Sequence, residues 1–260
     1  MTQGDPMKKS LVSAVALSGA LAVGLAGCGS SASPTASSST STPASASPSS
    51  GSTTSVGAVG DSASATELAT RISDAMVKAK SGKGRISTTG GSSAANVTGT
   101  LQFAINGATT QAQGSFTVSG MTLEIVTKDS LVYIKGLPTQ MTGGKPWVKI
   151  DPKGTDTLSK SMAQLGSNTG DPRALVDSFK GGKATVKSKN GGLTTYDVTG
   201  ATALAGGTLE VTVDDHSLPS TFKVTTAGVT VIAEYSDWGA PVTITAPPAD
   251  QVGSAAVPAG

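Results

Sequence analysis

The sequence predicts an α+β domain, a meander of short antiparallel strands with one apolar and one wet face, accompanied by three helices. Three observations predict it. From Val97 onward apolar and polar residues alternate with a period of two, in short runs. The runs are joined by Gly, Asn or Asp, as in Asn106-Gly107 and Ser119-Gly120, and so follow one another as hairpins. Only two regions, near residue 70 and between residues 155 and 180, switch to the helical period of three to four.

The chain does not begin with this domain. Met7-Lys8-Lys9 is a positive start, Ser10–Gly24 is an apolar run, and Leu25-Ala26-Gly27-Cys28 is a small-residue cleavage region. That order reads as a secretory signal over residues 1–27. The run is too short and too rich in Ser, Gly and Ala for a good membrane span, which needs about 20 strongly apolar residues. Cys28 is the single cysteine, which excludes an internal disulfide framework and a multi-cysteine metal site. Leu25-Ala26-Gly27-Cys28 resembles a bacterial lipobox. In proteins with that motif the cysteine sulfur receives diacylglycerol, the chain is cut before it, and the new N-terminus is acylated, commonly by palmitate. The alternative is an ordinary signal and a free thiol. Two or three acyl chains give stable attachment where one is marginal. The expected location is therefore the extracytoplasmic side of the cell membrane.

Residues 28–63 read as the lipidated cysteine and a disordered tether. From Gly29 to Ala63 only Val56, Val59 and Asp61 fall outside Ser, Thr, Ala, Pro and Gly. Such a stretch has too little apolar surface to offset the entropy of ordering it. As a coil it spans roughly 30–35 Å. About 190 residues follow, enough for one domain with one core. The domain is placed at 64–252, with a flexible tail at 253–260.

Its first element is a helix over about 65–80, with Leu68, Ile72, Ala75, Met76 and Ala79 on one stripe. Ser64 and Glu67 predict a capping box, and Gly82 a stop. Strands follow in which Val97, Leu101, Phe103 and Ile105 share a face opposite Thr98, Thr100 and Gln102. Phe116, Val118, Met121, Leu123 and Ile125, then Leu131–Ile134 and Lys145–Ile150, continue the pattern. Leu158, Met162 and Leu165 are spaced for a second helix. Asp171-Pro172 predicts the N-cap and first position of a third, carrying Leu175, Val176 and Phe179. Five more alternating segments run from Lys183 to Gly239, for about ten strands in all.

The chemistry-bearing residues are sparse. Net charge is +2 and lysines are scattered, so no basic face for nucleic acid is expected. The mild cluster Lys180, Lys183, Lys187 and Lys189 reads as a solvated strand edge, or else as a weak contact for anionic headgroups. The single histidine, His216, stands beside Asp214 and Asp215 in a predicted turn, too little for a transition-metal site. Ser220-Thr221-Phe222-Lys223 matches S-x-x-K, but lies in an alternating strand rather than at a helix start. No catalytic residue, metal ligand or cofactor is predicted.

The order of elements, with "LVYIKG" at 131–136, "WVKID" at 147–151, "DPRALVDSF" at 171–179, "LPSTFKV" at 218–224 and above all "AEYSDWGAPVTITAPPADQV" at 233–252, resembles the LppX/LprA/LprF/LprG family of actinobacterial lipoproteins. The resemblance covers residues 64–252. It implies a half-barrel sheet with helices over the concave face and a hydrophobic cavity between them, an LprG/LolA-like architecture. It also implies binding of an acylated lipid or lipoglycan, carried across the envelope by a monomer, with a membrane transporter as one possible partner. The cavity-lining candidates are Leu101, Phe103, Phe116, Val118, Leu123, Ile125, Leu158, Met162, Leu165, Leu175, Val176 and Phe179. Core and cavity ask for the same residue types, so each is equally a plain core residue. The rival function is an envelope sensor or protein-interaction module with a filled core and no lipid cargo.

Overall fold

The computed structural model describes residues 57–91, 96–154, 159, 171–204 and 206–254. In chain order the strands are β1 (Ser62–Ser64), β2 (Ser81–Gly90), β3 (Val97–Asn106), β4 (Thr109–Val118), β5 (Met121–Lys128), β6 (Leu131–Lys135), β7 (Trp147–Ile150), β8 (Lys183–Asn190), β9 (Leu193–Thr199), β10 (Thr208–Val213), β11 (Pro219–Thr226), β12 (Val229–Ser236) and β13 (Val252–Ser254). Helix α1 spans Ala65–Ala79 and α2 spans Arg173–Asp177. The strands form one open, curved sheet in the order β1-β8-β9-β10-β11-β12-β2-β3-β4-β5-β6-β7-β13. Two meanders, β2 to β7 and β8 to β12, are joined where β12 pairs with β2, Ala233 opposite Ile86. Only β13 lies parallel to its neighbour, β7.

The turns explain the meander. Ser119-Gly120 (φ 51° and 81°) and Ala227-Gly228 (φ 50° and 78°) are both left-handed at their two central residues. That is the twist which lets adjacent strands continue without splaying. Asp129-Ser130 achieves the same without a glycine (φ 52° and 63°). Among the described residues the sheet has thirteen strands where the alternation predicts about ten. The extra ones include the three-residue edges β1 and β13, too short to show a period. Residues 62–63 of the expected tether and 253–254 of the expected tail are thus strand.

Helix α1 buries Leu68, Ile72 and Met76 of the predicted stripe against the sheet, with Ala65 and Ala69 beside them, while Ala75 and Ala79 are half-buried. Its ends differ from expectation. The Ser64 side chain makes no capping bond, and the Ala65 N–H donates instead to the Gly182 carbonyl at 3.0 Å. The helix stops at Lys80 in the left-handed region, whose N–H reaches the Met76 carbonyl. Gly82 is not a stop but part of β2, where a side chain would meet the Phe103 ring at 2.8 Å. Helix α2 begins one residue later than predicted, at Arg173, with Pro172 as its cap. The predicted helix around Leu158, Met162 and Leu165 lies outside the described residues. Ser159 within it is helical and buried.

We call the face under α1 inner and the opposite face outer. The inner core carries an aromatic cluster. Phe103 meets Trp238 edge-on at 5.3 Å, and Phe222 meets Tyr235 edge-on at 5.8 Å. Such pairs add to area burial. Burial among these rings raises the Tyr235 phenol far above its usual pKa, and the Asp171 charge adds to the shift.

Beyond β12 the chain crosses the outer face. Prolines 241, 247 and 248 deny this stretch a strand ladder. Sheet side chains satisfy its carbonyls instead. The Ser81 hydroxyl donates to Ala240 O (2.7 Å), Gln102 Nε2 to Thr243 O (3.0 Å), Lys128 Nζ to Ile244 O (2.9 Å) and Lys145 Nζ to Asp250 O (2.9 Å). Ile244 packs with Val126 and Trp147, and β13 then covers the β7 edge.

Phe222 is fully buried at the centre of the inner core. Phe222→Ala is expected to cost about 3–5 kcal/mol, read as a lowered urea midpoint with unchanged slope.

Candidate lipid-binding face

Register decides what the inner face looks like. Leu101 lies between Gly84 and Gly114, Phe103 between Gly82 and Ala112, and Gly99 between Ile86 and Phe116. Large side chains therefore lie over small ones on the neighbouring strands. A Cβ on Gly99 would come within 2.4 Å of the Phe116 ring. The apolar face continues through Leu123 and Ile125 on β5 to Val132, Ile134, Val148 and Ile150.

Burial along this face is graded. Near α1 and α2 it is complete. At the end of the strands holding Gly90, Val97, Val118 and Met121 it is partial. Ile86, Val97, Phe116, Val118, Leu123, Val224, Val229 and Val231 are half-buried there, and Met121 is 41% exposed.

The predicted cavity residues divide along the same gradient. Phe103, Val176 and Phe179 are fully buried core, and Leu101 nearly so. Phe116, Val118, Leu123, Ile125 and Leu175 are half-buried. Leu158, Met162 and Leu165 lie outside the described residues, as do Leu25, Ala26, Gly27 and Cys28. Among the described residues, Leu101, Ala112, Gly114, Phe116, Ile125 and Thr127 line a crevice of about 10 Å³, room for about one water. The Thr127 hydroxyl is buried there without a hydrogen-bond partner. An acyl chain fits only if side chains such as Phe116 move aside.

A larger groove, about 440 Å³, lies on the outer face. Its lining is mixed, with Lys83, Thr100, Gln102, Gln113, Ser115 and Glu124 beside Leu101, Val126 and Trp147. Its charges are already engaged, Lys83 with Asp237 at 3.0 Å and Glu124 with Lys135 at 2.8 Å.

Sequence reasoning missed a clamp. Arg173 N–H and Nε donate to Asp171 Oδ1 at 2.9 and 3.0 Å, and Nη2 to Oδ2 at 2.8 Å. Arg173 Nη1 reaches the Gly107 carbonyl at 2.8 Å, and the Thr110 hydroxyl donates to Asp171 Oδ2 at 3.0 Å. Helix α2 is thereby pinned to the β3–β4 hairpin. Burial raises the Asp171 pKa, but the bonds and charge of Arg173, with the Thr110 hydroxyl, outweigh it, and the carboxyl lies below its ordinary value. The signal was present as "DPR", yet the partners Gly107 and Thr110 are more than sixty residues away in the chain.

Two lysines of the cluster, Lys180 and Lys187, are engaged in ion pairs. Lys187 bridges Asp197 at 3.3 Å and Glu210 at 3.0 Å, Lys223 joins Glu210 at 3.1 Å, and Lys180 pairs with Asp177 at 2.6 Å. Hydrogen bonds from Lys187 and Lys223 hold Glu210 below its usual pKa. His216 is an exposed turn residue whose backbone N–H donates to Asp214 Oδ1 at 2.9 Å. Ser220 and Lys223 stand in β11. Among the described residues no group of three or more His, Cys, Asp or Glu is placed to hold a metal.

No family model matches the chain, and no curated protein matches it. Solved structures do. It is similar to LprF and LppX. LprF from Mycobacterium bovis is 17% identical, with a TM-score of 0.43 over 70% of this chain and 96% of LprF. The Mycobacterium tuberculosis lipoprotein LppX is 12% identical, with a TM-score of 0.45 over 70% of this chain and 98% of LppX. The MucA/MucB complex of Pseudomonas aeruginosa gives 16% identity and a TM-score of 0.36 over 72% of this chain and 59% of the matched one.

The clamp predicts an acid limb. The folded Asp171 carboxyl lies below the free value of 3.8. Its contribution is therefore complete well above that value and is lost as pH falls through the lower folded value. Asp171→Asn should cost about 1–3 kcal/mol at neutral pH. In urea unfolding, the gap between wild type and variant should narrow as the pH falls below 4.

Proposed function

We propose that the chain is a lipid-anchored envelope protein that binds an acylated lipid or lipoglycan on its inner sheet face and carries it across the envelope. The observation that carries this reading is the half-buried apolar band around Phe116, Val118, Leu123 and Ile125. Phe116, Leu123 and Ile125 pack against the buried core on one side and have only partial cover on the other. Each buried CH₂ of cargo contributes about 0.8 kcal/mol, so a chain of about sixteen carbons gains on the order of 10 kcal/mol before the cost of opening the crevice.

The rest of the sequence supports the same reading. Residues 1–27 supply export, Cys28 the anchor, and the segment after it a tether on the extracytoplasmic side. The role is that of a binding protein, not an enzyme. The small size of the crevice favours one rival, an interaction module whose core is already full.

The two are separated by purifying the exported Cys28→Ser chain without detergent and extracting it for lipid mass spectrometry. A co-purifying acylated lipid is expected, and Phe116→Ala should raise its occupancy by widening the crevice. Recovery of no lipid from either protein moves the assignment to the interaction module.

A further inference from the structure

Charge is distributed unevenly along this sheet. Between Arg85 and Glu124 the sequence has no charged residue and no histidine, and the same holds between Lys223 and Glu234. These segments supply β3, β4, the second half of β2, the start of β5 and the facing parts of β11 and β12, strands that are neighbours in the sheet. Register brings their ends together, with Val97 opposite Val118, Val118 opposite Met121, and Val229 opposite both Thr226 and Gly90. Among the described residues the two-residue turns there are Ser119-Gly120 and Ala227-Gly228, neither of which carries a charge. Met121 is 41% exposed, and Val97, Val118 and Val229 are half-buried.

The opposite end of the same strands is charged. Its turns hold Lys128, Asp129, Asp214, Asp215, His216 and Asp237. At the uncharged end, lysines occur to the flanks, Lys180 and Lys183 at the start of β8 and Lys135 and Lys145 toward β7. Lys135 is bridged to Glu124, and Lys145 donates to the Asp250 carbonyl.

We infer that the uncharged end is a bilayer-docking surface, seated in the interface by the Ser119-Gly120 and Ala227-Gly228 turns, with Met121 and Val229 reaching the acyl boundary. Charged side chains are the costly groups to bring to that boundary, and small uncharged turns with exposed aliphatics are the cheap ones. The half-buried band of the inner face opens directly onto this end, so a docked domain exchanges an acyl chain with the bilayer without passing it through water. That purpose rests on the lipid-binding reading, whereas the docking geometry does not.

The described sheet and core span residues 57–254, so the test uses the chain from residue 28 onward with Cys28→Ser. Neutral phosphatidylcholine vesicles are the probe. The chain should co-sediment with them, and added salt should not release it, because no charge carries the contact. Met121→Lys with Val229→Lys should weaken partition at least about tenfold. Leu193→Lys, an exposed apolar residue at the charged end, should leave it unchanged. Removing Cys28 leaves no other cysteine, so a polarity-sensitive label can be placed at one site. On Ala227→Cys it should move into an apolar environment when vesicles are added, and on Asp215→Cys it should not.

Absence of wild-type partition overturns the proposal and leaves this end to a protein partner. Release by salt, or an equal response at position 215, also overturns it. Lipid extraction reports separately on the binding face. A chain that carries lipid but ignores vesicles sinks the docking surface alone, and one that docks without cargo sinks the carrier reading alone.

Discussion

Large side chains lie over glycines on the inner face, and the rest of the structure depends on that pairing. Phe103 occupies the space that Gly82 vacates, Leu101 the space of Gly84 and Gly114, and Phe116 the space of Gly99. A sheet face built this way supports bulky apolar groups without strain, but each ring needs something above it. Helix α1 supplies that cover for β2, β3 and β8, and the aromatic cluster of Phe103, Phe222, Tyr235 and Trp238 closes the gap beside it. Toward the other end of the strands the same face goes on with cover that is only partial.

The outer face solves a different problem. It is wet, and its edge at β7 would present unpaired backbone groups. The proline-rich tail closes that edge with β13 and is held by donors from the sheet rather than by a ladder of its own. Each of those donors, Gln102, Lys128 and Lys145, is thereby committed to structure. On the inner side the Asp171–Arg173 clamp performs the comparable task, fixing a helix of five residues that is too short to hold itself.

These devices leave the two ends of the sheet chemically unlike. One end carries acidic and basic turns, and the other carries Ser, Gly, Ala and Thr with exposed Met121. A domain finished for water on all sides has no evident need of this division. One that meets an apolar partner at a single end does.

The sequence by itself determined the strand runs, the two faces of β3 to β5, the hairpin turns and the position of α1. All of these rest on local period and turn chemistry, which neighbouring residues in the chain carry. The proposed export signal and the proposed anchor at Cys28 are readings of the same linear kind, and they lie outside the described residues. The tertiary structure decided what no local pattern encodes: which strands become neighbours across the β12–β2 seam, where Arg173 finds Gly107, and how the tail crosses the outer face. It also separated the predicted lining residues into finished core, such as Phe103, Val176 and Phe179, and half-buried face, such as Phe116 and Leu123. Both groups obey the same hydrophobic alternation. Only the depth of cover above each one distinguishes them, and that depth is set by chain segments far away in sequence.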